Sequence, residues 1–411
     1  MTPAPRATRY LVAGLCGLFF VGSVVGCGGK RSTPPFPEAQ WASARIVTDD
    51  AELIGGPLAQ GELGDALLAN ARVRFIVQDP AHPRGYLPYG GTIIDADVVR
   101  PAGEAGQDRL GEVAPIAGYI RFVGAQSMEV VHDGHGGQPA VVRITGVDLP
   151  MPLLESALPL EPTHVTVQVD YILEPEATSL IIESRITYVG NATSQSIKPG
   201  DGLMLGDLIQ QCSSPEDGCD DNSWGKTGVF GGYAAGRVSY GYFHHEDDMR
   251  VELNLGEVVL LFGTGQSLAR EESLVFRRYL AVGDGDMTSI RAEMLRRRGV
   301  VELRAIAGRV MLAGGDPGAG ATVDVWTTEG DWETRALADA NGDFQARLAP
   351  GSYELLAQLP GRDPAAPLVA DVTLGDASGL DFTLDDPARV VLDVRRPGSA
   401  RAGPGDVPAG H

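Results

Sequence analysis

His164-Val-Thr-Val-Gln-Val-Asp-Tyr-Ile-Leu173 alternates apolar and polar residues and places Val165, Val167, Val169 and Tyr171 on one side. A period of two is the mark of a β-strand with one buried face. Ile182, Ser184, Ile186 and Tyr188 repeat the pattern opposite Glu183, Arg185 and Thr187. Outward from this pair, residues 71–77 and 251–262 also read as strands. Turn-forming clusters separate the runs: Gly55-Gly56-Pro57, Gly90-Gly91, Asp133-Gly134 and Pro199-Gly200-Asp201-Gly202. With 54 Gly and 28 Pro in 411 residues, many turns are expected, and the fold class is mainly all-β. One helix stands out. Met287, Ile290 and Met294 share a face, Asp286 can cap the start, Arg296 to Arg298 suit the end, and Gly299 stops it.

The chain carries 33 Lys+Arg against 54 Asp+Glu, a formal charge of −21. A surface of that sign excludes a nucleic-acid binder that depends on cationic contacts to phosphate. The apolar share of 43% argues for folded domains rather than disorder.

Residues 1–26 read as an export signal. Arg6 and Arg9 precede the apolar run Tyr10 to Val25, which is too short for an ordinary membrane span. It ends in Val24-Val25-Gly26-Cys27, which resembles the lipobox of bacterial lipoproteins. The resemblance implies cleavage after the small Gly26 and acylation of the Cys27 thiol. The mature protein is then expected on the cell envelope, anchored by lipid at the outer membrane because position 28 is not Asp. Acyl chains contribute about 0.8 kcal/mol per buried CH₂, so two or three of them hold a protein on a bilayer. Residues 27–44, with Ser-Thr-Pro-Pro-Phe-Pro, read as a tether. In an oxidising compartment Cys212 and Cys219 are expected to form a disulfide, stabilising by about 2.5 kcal/mol through loop closure. Two isolated Cys do not make a zinc site.

The large β-rich domain spans 45–300, a smaller one spans 303–387, and 388–411 is a low-complexity tail. The smaller domain carries Gly308-Arg309-Val310, Gly320-Ala321-Thr322-Val323, Asp339-Ala340-Asn341-Gly342-Asp343-Phe344 and Leu348-Ala349-Pro350-Gly351-Ser352-Tyr353. It resembles a carboxypeptidase regulatory-like domain, which implies a seven-stranded transthyretin-like sandwich without catalysis. Phe344, Leu348, Tyr353 and Leu355 are its core candidates. Glu52 to Gly61, Gly90 to Asp97 and Val238-Ser239-Tyr240-Gly241-Tyr242 resemble exported myxobacterial-type lipoproteins, in which such a region precedes a PHP-type phosphoesterase domain. No His-x-His pair follows residue 387, so the resemblance carries over no phosphoesterase centre and suggests a scaffold that lost one.

For binding, the conspicuous feature is an aromatic cluster, Trp224, Phe230, Tyr233, Tyr240, Tyr242 and Phe243, interleaved with glycines and preceded by Asp221 and Asn222. Flat rings beside compliant backbone suit stacking on a sugar; core aromatics with loop glycines are the competing reading. His244-His245-Glu246-Asp247-Asp248, the pair His132 and His135, Asp95 with Asp97, and Glu216, Asp217, Asp220 and Asp221 read more simply as turns, caps and solvated acidic loops than as metal or acid–base sites. Asp284 and Asp286 read as turn and helix cap. No Gly-x-Ser-x-Gly or phosphate-cradling loop occurs. The sequence therefore assigns no catalytic residue, metal or cofactor. It points to an anchored, non-catalytic protein whose large β-sandwich binds a carbohydrate or an envelope partner. An epimerase or lyase in that domain is the enzymatic alternative.

Overall fold

The computed structural model describes residues 38–151 and 161–386, apart from positions 207, 216, 217, 220–223 and 247. The export signal, Cys27 and the tail from residue 387 lie outside the described residues.

Alternation in the sequence becomes burial in the fold. In the strand Val165–Leu173 the side chains of Val165, Val167, Val169 and Tyr171 are buried, while Thr166 faces solvent. This strand lies antiparallel between Ala140–Pro150 and Ser179–Tyr188. Its outward face continues across neighbouring strands as a lateral charged row, Glu129, Arg143, Asp170, Glu183 and Arg277. Arg143 grips Asp170 through two 2.7 Å bonds, and Arg277 reaches Glu183 at 2.9 Å. Cross-strand pairs of opposite charge are the expected solution for a solvated sheet face.

Among the described residues seventeen strands join one antiparallel sheet. Gly200–Leu205 pairs with both Leu110–Gly118 and Val258–Phe262, and Ser273–Gly283 with both Ser179–Tyr188 and Val238–His244. The sheet encloses a core that includes Phe75, Ile144, Tyr171, Tyr188, Phe230 and Tyr240. Each large side chain so buried contributes about 1.5–3 kcal/mol.

Two boundaries differ from the sequence reading. Residues 251–262 form no single strand but a hairpin, Met249–Asn254 and Val258–Phe262. Leu255 N–H bonds the Val258 carbonyl, and Gly256 supplies the left-handed φ of 80° that the turn needs. The strand Ser43–Ile46 begins inside the stretch read as tether. It pairs with Ala66–Ala69, and Ala42 and Ala44 are buried.

The helix α1, Thr288–Arg297, is the one α-helix among the described residues. Asp286 Oδ1 accepts from Thr288 N–H at 2.9 Å, and Gly299 adopts φ of 88° past its end. Met287, Ile290 and Met294 pack with Phe243, Tyr279 and Ile181, covering the outer face of the large sheet there.

The seven strands that follow form a sandwich. Arg304–Leu312 lies between Asp343–Leu348 and Phe382–Leu384, opposite a sheet ordered Trp332–Leu337, Thr322–Thr327, Ser352–Gln358, Leu368–Asp371. Phe344, Leu348, Tyr353 and Leu355 belong to its core, as expected. In the Asn341-Gly342 turn Asp339 Oδ1 accepts from Asn341 and Asp343 N–H, at 2.8 and 2.9 Å. Both sandwiches belong to one compact unit. Cys212 and Cys219 are disulfide-bonded, and the loop they close receives the small sandwich. Trp332 N–H donates to the Pro215 carbonyl at 2.7 Å, and Arg291 of α1 donates to Glu333 at 2.9 Å.

Candidate functional site

The aromatic cluster is core, which corrects the expectation of a stacking shelf. Tyr233, Tyr240, Tyr242 and Phe243 are all buried. The reason is position. Val238–His244 is flanked on both edges by strands, and both its faces are covered. Tyr240 and Tyr242 point into the main core. Phe243 points to α1 and stacks on Tyr279, ring centres 5.2 Å apart. The interleaved glycines serve close packing: a Cβ on Gly241 would lie 1.9 Å from Ile290, and one on Gly231 would lie 2.0 Å from the Tyr240 carbonyl. Trp224 is half exposed; Asp221 and Asn222 lie outside the described residues.

The histidines also have structural work. His244 stacks on Phe276 and His245 meets the Tyr279 hydroxyl at 3.1 Å. His132 Nδ1 accepts from Gly134 N–H at 3.0 Å, and His135 packs edge-on against Trp41. Among the described residues no three His, Cys, Asp or Glu are grouped to hold a metal ion. Glu216, Asp217, Asp220 and Asp247 lie outside them.

The pair Asp95 and Asp97 leads elsewhere. Both are buried on the strand Ile93–Val98, but they serve different loops. Asp97 pairs with Arg100 and accepts from Gln107 N–H. Asp95 accepts from Gln60 N–H at 2.7 Å and Gly61 N–H at 3.0 Å, and so fixes the segment 56–61.

Facing that segment is a second one with the same kind of support. The chain leaves the sheet after Val77 and returns at Ile93; Pro80, Pro83, Pro88, Gly85, Gly90 and Gly91 keep the stretch between irregular. Its amides need partners, and buried side chains supply them. Glu112 accepts from Leu87 N–H at 2.9 Å. Gln78, with its amide oxygen turned to the loop, accepts from Arg84 and Gly85 N–H at 2.7 and 3.2 Å. Arg84 ties the two segments together. It donates to the carbonyls of Gln60 at 3.2 Å and His82 at 2.7 Å, and pairs with buried Asp65 at 2.5 Å.

Between them opens a cleft of about 460 Å³, with Pro57 to Gln60 on one side and Arg84 to Tyr86 on the other. The Tyr86 ring is 53% exposed at its rim. The carboxyls lie behind the walls. Glu112 is fully buried, and a Cβ on Gly85 would sit 2.6 Å from its oxygen. Burial pushes its acid up to about 7, against the pull of the Leu87 N–H. Asp95 is pushed up to about 6 by burial, with two amides opposing. A larger hollow of about 570 Å³ on the small sandwich runs past Arg309 and Asp343, but these two are paired with each other at 2.6 Å and no exposed aromatic lines it.

Sequence reading passed over Tyr86. The available signal was an aromatic in the Pro- and Gly-rich run Pro83-Arg84-Gly85-Tyr86-Leu87-Pro88, since binding groups concentrate on loops carried by rigid sheets.

Residues 305–385 match the family described as carboxypeptidase regulatory-like domain. None of the curated proteins compared with the chain matches it. Among solved structures, a GH36 α-galactosidase of Geobacillus stearothermophilus is 9% identical with a TM-score of 0.38, covering 65% of this chain and 46% of its own. The Slr1438 protein of Synechocystis sp. PCC 6803 is 12% identical with a TM-score of 0.31, covering 62% of this chain and 98% of its own. A GalM/aldose epimerase homologue of C. elegans is 9% identical with a TM-score of 0.31, covering 52% of this chain and 97% of its own. This chain thus spans about half the length of the galactosidase.

Proposed function

We propose that this protein is a non-catalytic envelope protein, tethered by an acylated Cys27, whose large domain binds a neutral carbohydrate in the Tyr86 cleft. The exposed Tyr86 ring beside the Gln60 side chain carries the reading. The ring offers a stacking face for sugar C–H groups, and Gln60, whose side-chain NH2 is bonded to the Gly111 carbonyl at 3.1 Å, offers its amide oxygen as an acceptor for hydroxyls. The walls are preorganised by bonds to buried side chains, which lowers the entropic cost of binding. A neutral ligand is favoured because the cleft's cation, Arg84, is engaged with Asp65 and two carbonyls. The chain's charge of −21 also disfavours anions. The small sandwich serves as a spacer or second binding surface.

The test is glycan-array capture by the full chain and by Tyr86→Ala. Capture that disappears in the variant, with the thermal midpoint unchanged, supports the reading; capture that survives the substitution refutes it. Turnover of a sugar by the wild-type protein would favour the epimerase or lyase alternative. Membrane fractionation of Cys27→Ala tests the tether, which predicts release into the soluble fraction.

A further inference from the structure

We propose a second binding site, for the carboxylate-bearing sugars of an acidic polysaccharide, where Lys226 and Arg250 stand side by side on the large sheet. It goes beyond the neutral-sugar reading of the Tyr86 cleft and does not depend on it.

Strand register places the parts. Lys226 on Gly225–Thr227 lies directly opposite Arg250 on Met249–Asn254, and both are exposed. Arg250 in turn lies opposite Phe262 on Val258–Phe262. Opposed residues share a face, so the row reads cation, cation, ring across three strands. With neighbouring strands about 4.8 Å apart, the row is about 10 Å long. Phe262 is buried, with two groups over it: the Tyr119 ring stacks at 5.6 Å and Lys198 Nζ lies 5.2 Å from its centre. Tyr119 is 54% exposed, and the turn that carries it holds β-branched Ile120 at a left-handed φ of 56°. Such a conformation persists only where the surroundings enforce it. Trp224, also half exposed, stands two residues before Lys226. The Tyr86 cleft is at the other end of Val258–Phe262. There a Cβ on Gly111 would touch both the Tyr86 ring and Met204, and Met204 lies opposite Val258.

Like charges directly opposite each other on a sheet are destabilising, and the protein does not relieve this pair. Among the described residues neither Lys226 nor Arg250 has a hydrogen bond or an ion pair. The acids two positions either side of Arg250 are engaged elsewhere, Asp248 with Arg298 at 3.7 Å and Glu252 with Lys198. Two of the three lysines, Lys198 and Lys226, fall in this patch of a chain whose formal charge is −21. Screening over about 8 Å at physiological salt leaves the local cations, not distant acids, to set the field at a docked group. An anion seated between Lys226 and Arg250 is attracted by both and offsets their mutual repulsion. The half-exposed rings of Tyr119 and Trp224 flank that seat and suit sugar C–H faces. A carboxylate carried on a sugar ring meets both demands at once, whereas a nucleic acid draws its affinity from a longer run of cations.

Isothermal titration of the full chain with a polygalacturonate oligomer, at about 10 mM salt where screening is weakest, tests this. Binding is expected, and Lys226→Gln with Arg250→Gln should weaken it about tenfold, since two exposed charge contacts are lost. The neutral methyl ester of the same oligomer should bind the wild type about tenfold more weakly, for the same reason. Tyr119→Ala should weaken binding less, and Tyr86→Ala should leave it unchanged. Both cations are on the surface, and Arg250→Gln should hold or raise the thermal midpoint because it removes a like-charge opposition. A lowered midpoint would show that Arg250 is paired in the fold and would overturn the site. Absence of polygalacturonate binding, equal binding of the ester, or equal binding by the double variant would do the same. Tighter binding of oligo-dT or of phosphatidylglycerol vesicles would show a face that reads bare anions and would defeat the polysaccharide assignment. Loss of binding in Tyr86→Ala with the double variant unaffected would move the polymer to the cleft, again against the proposal. Failure of neutral glycans to bind the Tyr86 cleft leaves this titration readable.

Discussion

Arg278 and Asp201 face each other through two hydrogen bonds, 2.6 and 2.8 Å long, with neither side chain exposed. Arg278 also donates to Ser184 Oγ at 2.7 Å and to the Ile182 and Phe276 carbonyls at 3.2 Å, so the guanidinium is satisfied inside the core. Removing one partner leaves an uncompensated buried charge. Arg278→Met is expected to cost about 3–5 kcal/mol in chemical denaturation, and Arg278→Met with Asp201→Leu distinctly less.

The disulfide loop and the small sandwich share the bond between Trp332 and Pro215. Gly218 also lies against both Trp332 and Trp326. Replacing Cys212 and Cys219 by Ser should lower stability by about 2.5 kcal/mol. It should also shift Trp332, now 1% exposed, toward a red, hydrated emission. An unchanged emission maximum in the folded variant would show that the loop holds its seat without the covalent bond.

Raised carboxyl pKa values fix the sign of a stability profile. Glu112 binds its proton more tightly folded, at about 7, than unfolded, at about 4.5. Its contribution is full below the unfolded value and is lost as the pH rises through the folded one. Glu112→Gln should therefore raise the thermal midpoint at about pH 8 and leave it nearly unchanged at about pH 4. Differential scanning calorimetry at the two pH values reads this directly.

Core tyrosines and the cleft tyrosine should separate cleanly. Tyr240→Phe strips the hydroxyl that accepts from Arg109 N–H at 2.8 Å and approaches Ala96 O and Asp108. It should cost about 1–3 kcal/mol and leave glycan capture intact. Tyr86→Ala should do the reverse. Loss of capture in Tyr240→Phe at a temperature where it remains folded would return attention to the aromatic cluster.

Gly241→Ala tests the seat of α1. The added methyl would meet Ile290 at 1.9 Å, so helix or strand must shift. Overpacking of this kind costs about 1–3 kcal/mol in equilibrium unfolding.

Much of the architecture was legible because period two survives folding: Val165 to Tyr171 and Ile182 to Tyr188 face inward as read. The helix was legible from its apolar face and its terminal Gly299. The site was not. Tyr240 and Tyr86 are both tyrosines near glycines, and composition cannot distinguish a central strand covered by α1 from a loop rim. That difference arises from contacts over more than a hundred positions, such as Tyr240 with Asp108. The paired strands at 249–262 were merged because Leu255 lets the apolar run continue while Gly256 turns the chain.

Ser273–Gly283 enters the sheet between two strands that precede it in the chain, with Phe276 opposite Ser184 and Leu280 opposite Tyr242. During synthesis those two earlier strands must wait, each with an unsatisfied edge, until residue 283 has emerged. Long-range pairing of this kind is slow, and waiting edges invite pairing with other chains. The large domain thus completes itself late, and fragments ending before residue 273 should need a holding chaperone or aggregate.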